Sequence, residues 1–386
     1  MSKAAFLDHR LEIIPDFESS VLGHSRSIRV YLPPSYCEGE ELRYPVLYMH
    51  DGQGLFDPNP MSGTSWHMHD TTDRLIAEGR LQEILIVGID NRGEARSHEY
   101  SFPLQGGRIP GAPDIHCEGE RYEQFLIQEL KPFIDARYRT LSDRDNTALM
   151  GSSMGGLVTY HLGFRNPDVF SKLGILSPYF YRLELNTLEE TRFYNRYEHR
   201  PNVNIWMDIG GIEDNILVRH VRSVADELVE LGFQQDHDLV YREWPYAAHT
   251  EQDWAERVHL PLLYLFGTPA CESEGEPPWA RTGLPKRDKR YSHDARERVQ
   301  VELSIKVPPG TPAKDMIWIG KLAVPRISAG VFGGTFKLPK GMGVRFRIHT
   351  DLGYHEAGPA GEELPFRRIT WDHDMRLECS VKGWRP

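Results

Sequence analysis

Little in this chain could tie it together covalently. Its 386 residues hold only four cysteines, Cys37, Cys117, Cys271 and Cys379, widely scattered and without a C-x-x-C spacing. That argues against a disulfide framework or a cysteine zinc site and for reduced, structural thiols. Long apolar runs are missing too: no stretch approaches the roughly 20 residues that a membrane-spanning helix needs. The opening MSKAAFLDHRLEIIPDF lacks the apolar core of a secretory signal, and Asp8 interrupts it early. A cytoplasmic location, with no membrane partner, is the expectation. There is no block of like charge and no low-complexity tract. The net charge of -11 argues against nucleic acid as a partner.

What is present is an alternation of patterns. A chain of this length exceeds the usual size of one core, so two domains are expected. Between residues 20 and 265, SIRVYLP, YPVLYMHDG, EILIVGIDN, NTALMG, KLGILSP, NVNIWMDIG and HDLVYREW read as short strands. Helical spacing separates them in HMHDTTDRLIAEGR, GERYEQFLIQELKPFIDARY, MGGLVTYHLGFR, NILVRHVRSVADELVELG and EQDWAERVHLPLLYLFG. Pro132 should kink the second of these or open a new helix. Apolar strands alternating with helices predict an α/β fold with a mainly parallel sheet covered on both faces. The domain spans residues 1–267. A linker rich in Pro, Gly and charge follows over 268–296. Residues 297–386 then read as a small β-sandwich of short strands separated by Pro-Gly, Gly-Gly and Lys-Gly turns.

Within NTALMGSSMGGLVTYHLGF, the pattern G-x-S-x-G fits one register, Gly151, Ser153 and Gly155. Ser152 cannot be its centre, because Met150 would then occupy the first glycine position. The motif belongs on a tight strand-to-helix turn that lifts a serine hydroxyl out of the sheet edge. A strand-like run precedes it here and a helical run follows, with helix amides from Met154 onward facing developing negative charge. Ser153 is therefore a candidate nucleophile.

A serine hydroxyl needs a base, and the base needs an acid that fixes its tautomer. In this architecture the chain order is serine, acid, histidine. His161 shares the helix after Ser153 and should point away, and His220 reads as part of a polar helix face. His249, in the loop WPYAAHTEQDW between the last strand and last helix, is the candidate base, with Thr250 beside it as a helix cap. Asp208, Glu213 and Asp214 are candidate acids at the end of NVNIWMDIGGIEDN. Asp208 still belongs to the strand; spacing alone does not separate Glu213 from Asp214.

YPVLYMHDGQGLFDP, the Trp66–Ile76 region, ILIVGIDN, EARSHEYSF, GSSMGG and AAHTEQDW, in that order, resemble the esterase family of α/β-hydrolases. The family includes esterase D, enterochelin esterase, feruloyl and acetyl-xylan esterases and antigen 85 mycolyltransferase. The resemblance covers about residues 20–265. It implies an α/β-hydrolase fold and a serine carboxylesterase that works through an acyl-enzyme without metal or organic cofactor. Ser153 maps to the nucleophile and His249 to the base. Glu213 maps best to the acid, with Asp214 as the fallback. The oxyanion hole maps to the amides of Met154 and Gln53. Trp66, Tyr179 and Phe180 are read as pocket-lining residues, with core packing as the alternative for each. Asp51 is read as a turn cap, with shaping the oxyanion loop as the alternative, and Arg92, Arg96 and Glu99 as an ion-pair brace beneath the site. His67 and His69 hint at a metal, but no third ligand has matching spacing, so a solvated helix face is expected.

The implied substrates are acyl esters of sugars or polyols, acetylated or feruloylated. A siderophore trilactone and acyl transfer by the same residues are the alternatives, and a catalytically inactive carbohydrate-binding protein is the non-enzyme alternative. The C-terminal segment resembles starch- and glycogen-binding β-sandwiches. It lacks the tryptophan after the second strand, in GKLAVPRIS, and the later one around Gly353 and Tyr354. Shaping the mouth of the site, or a contact in a homo-oligomer, is the expected role in place of sugar stacking.

Overall fold

The computed structural model describes residues 10–38, 41–59, 63–104, 109, 115–184, 189–213, 215–244, 247–269, 298–319, 322–340, 342–365, 367–371 and 373–386. Eight strands form the main sheet: β1 (Leu11–Ser19), β2 (His24–Tyr31), β3 (Val46–His50), β4 (Leu85–Ile89), β5 (Thr147–Ser152), β6 (Lys172–Leu176), β7 (Asn204–Gly210) and β8 (Leu239–Trp244). Their order across the sheet is β1-β2-β4-β3-β5-β6-β7-β8. The β1–β2 and β2–β4 pairs are antiparallel, and every pair from β4 to β8 is parallel.

The parallel strands β3 to β6 are buried at nearly every position because both faces are covered, whereas the edge strand β1 is mostly exposed or half-buried. Val46 and Tyr48 of β3 belong to one core, together with Tyr122, Phe125, Leu130 and Leu157. The alternating residues Leu47 and Met49 belong to another, with Met68, Leu75, Leu262 and Phe266. Helices thus lie on both faces, as the alternation of patterns predicts. They are α1 (Met68–Ala77), α2 (Gly119–Gln124), α3 (Lys131–Arg137), α4 (Met154–Arg165), α5 (Asn215–Glu230), α6 (Glu251–Arg257) and α7 (His259–Phe266). Pro132 lies in the first turn of α3, and the six residues Phe125–Leu130 that join α3 to α2 run as a π-helical segment. The backbone stays helical across both junctions, at Phe125 and at Lys131, so Pro132 sits inside one continuous helical run, and the wider turn just before it is where the ladder accommodates the proline's missing N–H.

β1 is a strand that the sequence conceals. Pro15 interrupts it, and its pairing with β2 slips between Ile14 and Phe17, where Asp16 takes a φ of 52°. A proline and a bulge are tolerated there because β1 is the sheet edge.

The linker 268–296 falls outside the described residues apart from Thr268 and Pro269. From Arg298 onward every named element is a strand. A second eight-stranded sheet and the two-stranded ribbon Met342–Phe346/Arg367–Trp371 enclose a core of Val301, Leu303, Ile305, Phe332 and Trp371. The run MIWIGKLAV, which reads as a single strand, is divided between Met316–Ile319 and Leu322–Ser328, paired antiparallel.

Candidate active site

The carboxyl ends of the parallel strands gather the candidate residues. Ser153 sits between β5 and α4 with φ 59° and ψ -125°, a backbone conformation rarely adopted by residues with a side chain. Three backbone hydrogen bonds hold it there: its N–H donates to Leu176 O at 3.0 Å, and the N–H groups of Leu157 and Tyr179 donate to its carbonyl, each at 3.1 Å. The Ser153 hydroxyl has no hydrogen-bond partner among the described residues.

β7 ends in Gly210, and the turn after it carries Glu213. Gly210 is required by close approach: a Cβ there would lie 2.3 Å from Ala247 O and 2.7 Å from Glu213 Oε1. Without that Cβ the acid turn closes on the loop after β8, through Gly211 N–H to Trp244 O at 2.6 Å and Ile212 N–H to Ala247 O at 3.2 Å. Glu213 Oε2 then lies 2.8 Å from His249 Nδ1. Glu213 Oε1 accepts from Gly210 N–H at 2.7 Å and from the Ser177 hydroxyl at 2.5 Å. The Glu213 side chain is 0% exposed, whereas that of His249 is 34% exposed. The acid is dry while the imidazole it holds remains open to a ligand.

Burial pushes the Glu213 carboxyl up. His249, Arg257 and the Ser177 hydroxyl together outweigh it, and Glu213 lies below the usual carboxylate range. Asp208 moves the other way, pushed up by burial and by the nearby Glu213 charge despite its bonds to Arg257 and Trp206. Asp208 points into the sheet's packing, accepting from Trp206 Nε1 at 2.9 Å and from Arg257 Nη2 at 3.1 Å. It makes no contact with His249 among the described residues. Asp214 lies outside the described residues.

The base loop ends at Thr250, which caps α6: its hydroxyl accepts from Asp253 N–H at 3.2 Å. Gln53 lies in the short turn Gly52–Gly54 after β3. The amides of Gln53 and Met154 donate to no acceptor among the described residues. The Gln53 side chain is occupied, its Oε1 accepting from Asn91 N–H at 3.1 Å.

Several readings of individual residues need correction. Asp51 does not cap its turn with its side chain. Its carboxylate instead accepts from Arg96 Nε and Nη2 at 2.6 and 2.7 Å and from Asn91 Nδ2 at 2.6 Å. Arg96 and Glu99 are braces, but in separate pairs: Glu99 is buried against Arg26 at 2.7 Å and His24 at 3.0 Å. Arg92 is exposed and joins neither pair. Phe180 is fully buried against Tyr160 and Tyr194, which is the core-packing alternative. Trp66 is a core aromatic stacked on Trp254 with ring centroids 5.3 Å apart. Tyr179 is half-buried, its backbone tied to Ser153. His220 is no solvated helix residue; it is buried between Glu190, at 2.9 Å, and the ring of Tyr181. His161 points away into the core and bonds the Tyr197 hydroxyl. His67 and His69 both face Asp70, at 3.6 and 3.5 Å. Among the described residues no group of three or more His, Cys, Asp or Glu is placed to hold a metal ion.

Residues 19–262 match the family described as "Putative esterase". The chain belongs to this esterase family. Among relatives, it is 32% identical over 168 residues to an endo-1,4-beta-xylanase/feruloyl esterase of Xylanibacter ruminicola, across 42% of this chain but only 20% of that protein's length. It is 24% identical to an uncharacterised Bacillus subtilis protein, YbbA, over 63% of this chain and 93% of the other. Among solved structures, a BES protein from Bacillus cereus superposes with a TM-score of 0.50 at 19% identity, over 67% of this chain and 95% of the other. The enterobactin esterase FES of Shigella flexneri gives 0.50 at 15% identity, over 67% of this chain and 59% of the other. At those identities the esterase structures speak to the fold alone, and the fold is that of the α/β-hydrolases.

Ser177, Trp254 and Arg257, none of them singled out by a local motif, surround Glu213. A signal for Arg257 exists: it follows Trp254 by three residues and precedes Val258, placing it on the inward face of α6.

Proposed function

We propose that this esterase-family protein is a serine carboxylesterase in which Ser153, His249 and Glu213 act together. The observation that carries the reading is the buried Glu213 carboxylate 2.8 Å from His249 Nδ1, which leaves Nε2 as the basic nitrogen. In the reaction, Nε2 takes the Ser153 proton as Oγ attacks the ester carbonyl. The tetrahedral oxyanion is received by the Gln53 and Met154 amides, each worth roughly 3 kcal/mol of barrier. The imidazolium then protonates the leaving alcohol. Water, deprotonated by His249, releases the acid from the acyl-enzyme and restores the serine. The open hydroxyl of Ser153 fits a resting enzyme, since such bonds often tighten only in the substrate complex.

The proposed substrates are acyl esters of sugars or polyols, of acetyl or feruloyl type. The name of the Xylanibacter ruminicola relative supports this class. Residues 1–267 are the proposed catalytic domain and 297–386 a separate accessory domain. Hydrolysis of p-nitrophenyl acetate by the wild type and by Ser153→Ala tests the chemistry: equal rates would overturn it. Methyl ferulate and acetylated xylo-oligosaccharides, run beside a catecholate trilactone, test the substrate class.

A further inference from the structure

Behind Glu213 lies a cluster that the reaction above does not use. Ser177, directly after β6, is 1% exposed and has a φ of 43°. Its hydroxyl touches three side chains: Trp254 Nε1 at 2.9 Å, Arg257 Nη2 at 2.8 Å and Glu213 Oε1 at 2.5 Å. The indole and the guanidinium can only donate. Both lone pairs of the hydroxyl are therefore engaged, and its single proton must point at Glu213. Arg257 in turn is held by Asp208, from Nε at 3.2 Å and Nη2 at 3.1 Å, and by the Asp253 carbonyl at 3.1 Å. Its Nη2 lies 3.6 Å from Glu213 Oε1. Trp254 presents its ring to the edge of His249, with centroids 4.9 Å apart.

Resting on the serine-esterase reading, we propose that Ser177, Arg257 and Asp208 are positioning residues that fix the Glu213 carboxylate and set how strongly it holds charge on His249. The charged or titratable groups facing Glu213 among the described residues are His249 from the loop after β8, Arg257 from α6 and Asp208 from β7. Arg257 is shared between two carboxylates. The more of its charge Asp208 takes, the less remains to offset Glu213. Loss of the Ser177 proton leaves Glu213 more strongly negative towards the imidazole. Loss of the Asp208 charge releases Arg257 to offset Glu213 instead. The two changes act on His249 in opposite senses.

The test uses Ser177→Ala and Asp208→Asn in the full chain, with two readouts. One is the acid limb of the kcat/KM–pH profile on p-nitrophenyl acetate. The other is NMR titration of the His249 imidazole without substrate, assigned by its loss in His249→Ala. Ser177→Ala should move both upward by about half a pH unit, and Asp208→Asn should move both downward by a similar amount. Should Ser177→Ala not fold, Ser177→Gly, which relieves the positive φ, gives the same hydroxyl deletion, and Ser177→Cys should restore part of the shift. Unmoved midpoints, or shifts in one direction for both variants, would overturn the proposal. The NMR arm separates the two ideas. Opposite shifts in a protein with no Ser153-dependent turnover leave the clamp standing and remove the esterase. Static His249 midpoints in an active, Ser153-dependent enzyme do the reverse.

Discussion

Gly151 and Gly155 meet backbone to backbone across the turn that carries Ser153: a Cβ on Gly151 would lie 2.7 Å from the carbonyl carbon of Gly155. Nothing flexible stands in that gap. Gly155 itself has more room, its nearest neighbours being Asp51 Oδ2 at 3.0 Å and His50 Cβ at 3.3 Å. Gly151→Ala should therefore lower stability by about 2 kcal/mol or more and reduce turnover sharply. Gly155→Ala should be the milder of the two. Urea unfolding and p-nitrophenyl acetate rates on both variants check the order.

Ser153 should trade stability for chemistry. Its φ of 59° at ψ -125° is a region that glycine enters freely. Ser153→Ala and Ser153→Gly should both lose esterase activity. Only the glycine variant should gain stability, by about 1 kcal/mol, because the relief of strain exceeds glycine's extra chain entropy. Melting curves of the three proteins measure this.

The acid can be identified by a pair of substitutions. Glu213→Gln keeps the shape of the side chain but offers His249 the wrong tautomer partner, and should cut kcat by about 10³–10⁴-fold. Asp214→Asn should leave kcat within a few-fold. A large loss in Asp214→Asn with little in Glu213→Gln would reassign the acid.

Two buried histidines outside the proposed Ser153–His249–Glu213 set predict acid sensitivity. His50 is pushed down to about 4 and His161 to about 3, each by burial, and each bonds a tyrosine hydroxyl, Tyr122 or Tyr197, at 2.9 Å. A folded value below the ordinary one near 6.5 means stability that is full above 6.5 and is lost as pH falls towards the folded value. Each histidine should steepen the decline by up to about 1.4 kcal/mol per pH unit in that window. His161→Phe should flatten it by one proton's worth, read from urea unfolding at pH 7, 6 and 5.

How much of this was legible from the residues depends on the range of the signal. The turn at Ser153, the β7 turn at Glu213 and the loop at His249 each announce themselves locally, through glycines, a cap and an apolar strand. The parallel sheet follows from the same alternation. β1 was hidden because Pro15 and Asp16 break the local pattern, and only pairing with β2 makes the segment a strand. Ser177 and Arg257 are 80 residues apart and meet only after β6 and α6 are packed. No spacing rule reaches that far. Phe180 misled for the opposite reason: an aromatic in an irregular segment looks like a pocket wall, whereas Tyr160 and Tyr194 enclose it.

The long excursions of this chain leave the sheet after β4, before Gly119, and after β6, before Asn204. Neither interrupts the short connections that follow β5, β7 and β8, where serine, acid and histidine reside. Residues of both nevertheless reach back to that edge: Arg96, after β4, donates to Asp51 and to the Ser152 carbonyl, while Ser177 and Tyr179, after β6, bond Glu213 and the Ser153 carbonyl, so only the lengths beyond these anchors can be exchanged without disturbing the turns. Each connection is thus part anchor and part free length, and a graft that keeps the anchors is the change these turns tolerate.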